Sequence, residues 1–284
     1  MSEHRIAAVL AACTFCVITS AEAGTLPGKH PMLNKRFAVS LGGFFPDIDS
    51  KVRLDANDFD LGTEIDFENT LGLEETKNVW WANARWRISR RNNLEFEWNR
   101  LNRDAVIGGS TRELEIGDSV VQAGAAIDSQ FDINLFRLTY GYSLIRSDEA
   151  EVQLKAGLHV ADVDAAIGIT GVISVDGEPF SQGVRQEGGD VTAPLPHFGG
   201  NFGYAFNEKF GVNLHIVGLA LEVNDIDGSI VDAGATLDYH FTDNFGVGAG
   251  VRYFNVDVEA RDDDLTGKFE FEYLGAVVYA SVAF

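Results

Sequence analysis

From residue 36 onward the chain alternates apolar and polar side chains with a period of two, as β-strands do when their faces meet different surroundings. Polar, Gly-rich breaks divide this pattern into strands predicted near 36–46, 79–89, 93–104, 130–145, 151–169, 195–206, 210–223, 229–241, 245–259 and 268–284. An internal repeat stands out. Tyr204-Ala205-Phe206, three polar residues and Phe210-Gly211-Val212 match Tyr239-His240-Phe241, three polar residues and Phe245-Gly246-Val247. Each copy reads as a hairpin whose three-residue loop places Phe206 opposite Phe210, Tyr204 opposite Val212, Phe241 opposite Phe245 and Tyr239 opposite Val247. The other face carries small and polar residues: Gly203, Asn201, Asn213 and His215 in the first copy, and His240, Asp238, Thr236, Gly246, Gly248 and Gly250 in the second.

A third hairpin has the same division. With Arg90-Arg91-Asn92 as its turn, Ile88 meets Leu94, Trp86 meets Phe96 and Ala84 meets Trp98 on one face. On the opposite face Arg87 meets Glu95, Arg85 meets Glu97 and Asn83 meets Asn99, so opposite charges fall where the apolar pairs do not. A soluble sandwich hides its apolar face, whereas a membrane barrel turns that face to lipid, encloses a polar lumen and carries aromatic girdles at the bilayer edges.

The pattern therefore predicts an all-β transmembrane antiparallel up-and-down β-barrel of about ten strands, with eight and twelve as the neighbouring even counts. Twelve results if 52–56 and 59–67 join the wall. Short turns are expected at 90–92, 146–150, 207–209 and 242–244, facing the periplasm. Long loops are expected at 47–78, 105–129, 170–194 and 260–267, with a tight connection at 224–228. The loop 47–78 contains Val52, Leu54, Phe59, Leu61, Ile65, Phe67, Leu71 and Leu73, too apolar for a solvated loop. It reads as a β-extension or as a cap over the barrel mouth, with a ligand- or partner-binding patch as the functional alternative.

The last predicted strand carries an alternating apolar row, Leu274, Ala276, Val278, Ala280, Val282 and Phe284. This row resembles the carboxy-terminal signature of outer-membrane proteins, which implies that Phe284 is the barrel-assembly signal read by the barrel-assembly machinery. Val282 stands where an aromatic is common. The chain from residue 24 resembles the small Gram-negative outer-membrane β-barrels of the OmpA-like and OmpW-like group. Leu61-Gly62-Thr63-Glu64-Ile65-Asp66-Phe67-Glu68 and Ala193-Pro194-Leu195-Pro196 look like segments of an uncharacterised proteobacterial family in that group. The resemblance implies fold and location, with outer-membrane lipid and lipopolysaccharide as surroundings; it implies no substrate.

Composition sharpens this reading. Ile6–Ile18 is an apolar run behind the short polar stretch Ser2–Arg5, and Ala21-Glu22-Ala23 has the small-residue pattern of signal-peptidase cleavage. The expected division is a signal peptide over 1–23 and a barrel domain over 24–284, secreted to the outer membrane with both mature termini periplasmic. A lipoprotein-like box, Leu10-Ala11-Ala12-Cys13, is the competing reading. Cys13 and Cys16 are the two cysteines, so the mature chain would have no disulfide. A net charge of −21 argues against a nucleic-acid partner, which needs clustered Lys and Arg.

Three chemistries remain. The lumen-lining set expected for a pore is Arg85, Arg87, Glu95, Glu97, Asn99, Arg137, Lys155, His159, Asn201, His215, Asp238 and Arg252. About ten strands leave little room beyond side chains, so a structural or narrow-pore small-solute role is expected rather than a general porin. The alternative is a lipid- or peptide-modifying enzyme with a site at the extracellular rim. Against it, His159, His197, His215 and His240 fall on the lumen face, and no Gly-x-Ser-x-Gly element occurs. Asp262-Asp263-Asp264 and Asp225-Ile226-Asp227-Gly228 carry oxygen ligands for hard cations but no complete EF-hand loop, and Asp227-Gly228 is more simply a two-residue hairpin turn. No catalytic residue, resident metal or cofactor is assigned.

Overall fold

The computed structural model describes residue 26 and residues 28–56, 63–107, 114–116, 119–121, 126–175, 178–223, 226–261 and 265–284. The expected signal peptide over 1–23 and the Asp262-Asp263-Asp264 run lie outside the described residues. A one-turn helix, α1 (Pro31–Asn34), precedes β1 (Phe37–Ala56), β2 (Thr63–Asp66), β3 (Val79–Arg87), β4 (Asn92–Ile107), β5 (Leu114–Ile116) and β6 (Ser119–Val121). The chain continues through β7 (Ala126–Arg146), β8 (Ala150–Val175), β9 (Glu178–Ala205), β10 (Phe210–Val223), β11 (Ile226–His240), β12 (Phe245–Arg261) and β13 (Leu265–Ala283).

Ten of these strands form the wall in the order β1, β3, β4, β7, β8, β9, β10, β11, β12, β13, each antiparallel to the next, and β13 pairs with β1 to close the ring. Closure leaves no unpaired edge along the ring. The strand β2 pairs only with Lys51–Leu54 of β1, and the β5–β6 hairpin pairs with the far end of β8, so neither adds to the wall. The amides of Phe37 and Phe284 exchange hydrogen bonds of 2.8 and 2.9 Å, which places both described chain ends at the end of the barrel with short turns.

The two repeated hairpins have the expected pairing, with Tyr204 opposite Val212 and Tyr239 opposite Val247. The β3–β4 hairpin differs by two residues. Arg85 lies opposite Glu95, Asn83 opposite Glu97 and Arg87 opposite Asn93. Ser89 is the cause: its hydroxyl accepts the amides of Arg91 and Asn92 at 3.3 and 3.2 Å and closes the turn one step earlier. A shift of two preserves which face each residue occupies. The expected loop at 170–194 is instead continuous ladder, because β8 and β9 pair out to Val175 and Glu178. Residues 260–267 are likewise mostly paired, out to Arg261 opposite Thr266. Asp227 and Gly228 are not a turn: they lie within β11, opposite Glu222 and Leu221.

The direction of the alternation changes along the barrel. Near the short turns the outer face carries Phe37, Leu41, Trp86, Leu138, Leu214, Leu237, Val247 and Val278, all exposed. This apolar band suits contact with acyl chains, because every exposed large side chain removed from water there contributes about 25 cal/mol per Å². Toward the opposite end the same strands reverse. Phe131, Ile133 and Leu135 of β7 and Phe271 and Tyr273 of β13 are buried inside, while Asp132, Asn134, Glu270 and Glu272 face outward. The reversal falls within single strands, and it creates an enclosed apolar core beyond the band.

The apolar first loop supplies the lid of that core. After β1, residues 66–71 form a turn in which the Asp66 carboxylate accepts the backbone and side-chain amides of Asn69 at 2.7 and 2.8 Å. Phe67, Leu71 and Leu73 point inward and are buried. Gly72 has a φ of +71°, a left-handed conformation, and an added Cβ would meet the Ile107 side chain at 3.0 Å. Beneath the lid, Glu68 accepts from Ser50 Oγ at 2.7 Å and pairs with Arg103, which also donates to Ser50 Oγ at 2.7 Å.

Candidate functional site

The bore holds nearly all of the chemistry-bearing side chains and is filled in three layers. Its central layer is an ion cluster. Arg137 on β7 donates to Glu97 on β4 at 2.8 Å and to Asp232 on β11 at 2.5 Å. Arg252 on β12 pairs with the same Glu97 and lies 3.3 Å from Asp232. Arg137–Glu97 and Arg252–Asp232 join neighbouring strands of the wall, whereas Arg137–Asp232 and Arg252–Glu97 join strands far apart in the ring, so the cluster ties the wall together through the interior. His159 and His215 point Nε2 at Asp232 at 3.2 and 3.0 Å. His197 meets His159 edge-on with ring centroids 4.5 Å apart and lies 3.1 Å from the Thr139 hydroxyl. Lys155 pairs with Glu95 at 2.5 Å. Charges taken out of water cost several kcal/mol each unless matched, and here each carboxylate has at least one cation.

The turn-end layer is a plug made by the segment before β1. Lys29 donates its amide to Asp148 O at 2.8 Å and pairs with Glu149 through its side chain. His30 sits edge-on to His240 with centroids 4.7 Å apart. Arg87, fully buried, forms a fork with Glu151 at 2.7 and 2.8 Å and reaches Met32 O at 3.4 Å. Arg146 donates to Leu33 O. Met32 and His30 fit because residue 211 is glycine: a Cβ there would lie 2.8 Å from the Met32 sulfur and 3.1 Å from the His30 ring.

The loop-end layer is the apolar core. Phe254 stacks on Tyr273 at 5.2 Å, Phe44 meets Tyr273 edge-on at 5.0 Å and Phe67 meets Phe131 edge-on at 5.0 Å. Phe131 and Phe271, from β7 and β13, approach across the interior at 6.4 Å.

Of the twelve residues singled out for the lumen, Asn201 is half-buried on β9 opposite His215, and the other eleven occupy these layers as follows. Glu97, Arg137, His159, His215 and Arg252 form the central cluster, and Lys155 and Glu95 lie beside it. Arg87 holds the plug, and Asn99 is buried at the edge of the apolar core. Arg85 and Asp238 line a polar cavity of about 120 Å³ between the plug and the cluster, where Tyr279 donates to Asp238 at 2.8 Å. Phe284 lies on the outer face, stacked at 5.7 Å on Phe37. Asp232, Glu151 and the His30–Asn34 plug escaped sequence reasoning. Asp232 has the parity of Asp238 and His240 on β11, which is the signal that finds it.

Two of the described carboxyls outside the apolar band are shifted from their usual values. Asp66 is held below its usual value: burial pushes it up, but the Asn69 amides and the Lys51 charge outweigh that. The hydrogen bond from Lys268 holds Glu270 below its usual value.

With the geometry in place, comparison with solved structures finds the same architecture elsewhere. The chain is similar in fold to the outer membrane protease OmpT from Escherichia coli, with a TM-score of 0.56 and 12% identity over 87% of this chain and 97% of that one. The toluene transporter TodX of Pseudomonas putida matches over 92% of this chain and 96% of its own at 11% identity and a TM-score of 0.38. The outer membrane protein OprG from Pseudomonas aeruginosa matches over 91% and 98% at 10% identity and a TM-score of 0.40. No protein-family model and no curated protein sequence matches the chain. At such identities the likeness shows the fold alone.

Proposed function

We propose that this protein is a non-enzymatic β-barrel of a Gram-negative outer membrane with a structural role, its bore closed to solutes. The observation that carries this reading is the triple filling of the bore: the His30–Asn34 plug, the Arg137–Glu97–Arg252–Asp232 cluster and the aromatic core beneath the 66–73 lid. A conducting barrel needs a continuous wet path, and an aromatic core with buried Phe131, Phe254 and Phe271 is dry. The rim-enzyme alternative loses its acid–base groups to this arrangement, because His159 and His197 lie buried and His215 half-buried in the bore among arginines. Outer-membrane location is supported by the apolar outer band with aromatics at the turn end, and by a fold shared with an outer-membrane protein.

In this reading the short-turn end, with both described chain ends, faces the periplasm, the acidic collar above the band faces the lipopolysaccharide leaflet, and Phe284 is recognised by the barrel-assembly machinery. Membership of the OmpA-like and OmpW-like group belongs to the same proposal. Planar-bilayer recording on the refolded protein tests it. The expected trace has no discrete openings; reproducible single-channel steps would establish a narrow pore instead. Density separation of membranes with heat-modifiable gel migration tests the location: a folded, boil-sensitive band in the outer-membrane fraction is expected, and a soluble product contradicts it.

A further inference from the structure

We propose that the short-turn rim from β1 round to β8 docks the phosphate headgroup of an anionic phospholipid in the leaflet it faces. The inference rests on the outer-membrane reading above, with this end of the barrel on the periplasmic side. Three observations converge on the rim. The first is charge. The chain has a formal net charge of −21, yet Lys35 and Arg36 before β1 and Arg90 and Arg91 in the β3–β4 turn share one arc. Arg90 and Arg91 are exposed, Lys35 and Arg36 are half-buried, and none of the four makes an ion pair among the described residues. The side-chain carboxylates of the arc's other turn, Asp148 and Glu149, gather around Lys29, which pairs with Glu149 and donates its amide to Asp148 O at 2.8 Å. The opposite arc lacks this excess: its turns hold Glu208, Lys209 and Asp243.

The second observation is that the cationic segments are tied together. Arg146 donates to Arg90 O and to Leu33 O, joining the end of β7 to the β3–β4 turn and to the segment before β1. Arg91 O accepts the Ser143 amide at 2.8 Å, and Arg36 O accepts the Arg87 amide at 2.7 Å. A backbone fixed in this way lowers the ordering cost of binding. Three of the four cations are guanidiniums, whose forked N–H groups match phosphate oxygens two at a time.

The third observation is height. Phe37, Trp86, Ile88, Tyr140 and Tyr142 are exposed on the outer face beside these cations. Phe37 stacks on Trp86 at 6.0 Å, and Arg91 reaches the Tyr142 hydroxyl at 3.4 Å. Aromatic belts lie at the membrane–water interface, so cations at their edge meet lipid phosphates. A water-soluble acidic partner would need the charges alone. A lipid uses both the charges and the aromatic collar.

The test uses the full barrel with Trp86 as its only tryptophan, the other three replaced by Phe, in phosphatidylcholine nanodiscs. Brominated phosphatidylglycerol at a small mole fraction should quench Trp86 as strongly as about ten times more brominated phosphatidylcholine. In Arg36→Gln/Arg90→Gln/Arg91→Gln that preference should fall to about unity, whereas Lys209→Gln on the opposite arc should keep it. If the triple variant does not fold, Arg90→Gln with Arg91→Gln, both at exposed positions, should still lower the preference about threefold. Sodium chloride at about 0.5 M should weaken it, and inorganic phosphate at matched ionic strength should not weaken it further. Equal quenching by the two lipids overturns the proposal and leaves the rim to a soluble acidic partner. So does a preference unchanged in the Arg variants, or one abolished by inorganic phosphate. Absence of quenching by either lipid would instead contradict the membrane reading itself, and the docking site with it.

Discussion

The two halves of the barrel are built from the same strands yet have opposite polarity. In the half near the short turns, β7 turns Leu138 and Tyr140 outward and Arg137 and Thr139 inward, and β13 turns Val278 and Val282 outward and Ser281 inward. Farther along, β7 buries Phe131, Ile133 and Leu135 behind Asp132 and Asn134, and β13 buries Phe271 and Tyr273 behind Glu270 and Glu272. The difference teaches that each face takes its polarity from the medium outside it. Where the surroundings are acyl chains, the interior must hold the polar groups and match them; where water returns, the wall hides its apolar side like a soluble protein.

The largest effects should come from emptying either interior. Asp232→Ala leaves the buried Arg137 and Arg252 to share the single carboxylate of Glu97 and should destabilise by about 3–5 kcal/mol. Phe254→Ala should cost about 3–5 kcal/mol by leaving a cavity in the apolar half. Urea unfolding in lipid vesicles measures both, and near-neutral behaviour of either would show that its half is not packed as described. A sharper contrast uses one charge at two heights on β13. Val278→Lys, facing the band, should cost about 2–4 kcal/mol. Glu272→Lys, beyond it, should stay within about 0.5 kcal/mol. Equal costs would remove the boundary between the halves.

The smallest effect concerns the lid. Asp66 has a lowered folded value, so its contribution is complete above the ordinary carboxylate value of 3.8 and is lost as pH falls through the lower folded one. Amide exchange at Asn69 and Thr70 should therefore quicken as pH drops below about 4, once intrinsic exchange is corrected for. In Asp66→Asn that extra pH dependence should disappear. Persistence in the variant would assign the acid sensitivity to another group.

Much of the fold was legible because period-two patterning reports faces directly: the repeated aromatic hairpins give the same pairing from sequence and in space. The β3–β4 register was not, since it rests on Ser89 capturing two amides, a turn choice that patterning does not encode. The ion pairs were read as wall neighbours, Arg85 with Glu97 and Arg87 with Glu95. Arg87 reaches Glu151 and Glu95 reaches Lys155 instead, on strands three and two places round the ring, because inward side chains in a narrow bore extend past the adjacent strand. The inner aromatic core was hidden by assuming a single polarity for the whole interior. Its signal was present in β7, where the apolar positions change from odd at Phe131, Ile133 and Leu135 to even at Phe136, Leu138 and Tyr140. The plug had no periodic signal at all, being a single helical turn.

The orientation of the wall can be read from the four tryptophans, all of which lie in the β3–β4 hairpin. Trp86 is 47% exposed on the outer face, whereas Trp81 is 7% exposed inside the bore. Single-tryptophan variants, with the other three replaced by Phe, can be folded into vesicles whose acyl chains carry bromine. Strong quenching of Trp86 together with an unquenched Trp81 is the predicted result. Quenching of Trp81 with protection of Trp86 would mean that the wall is inside out relative to this account.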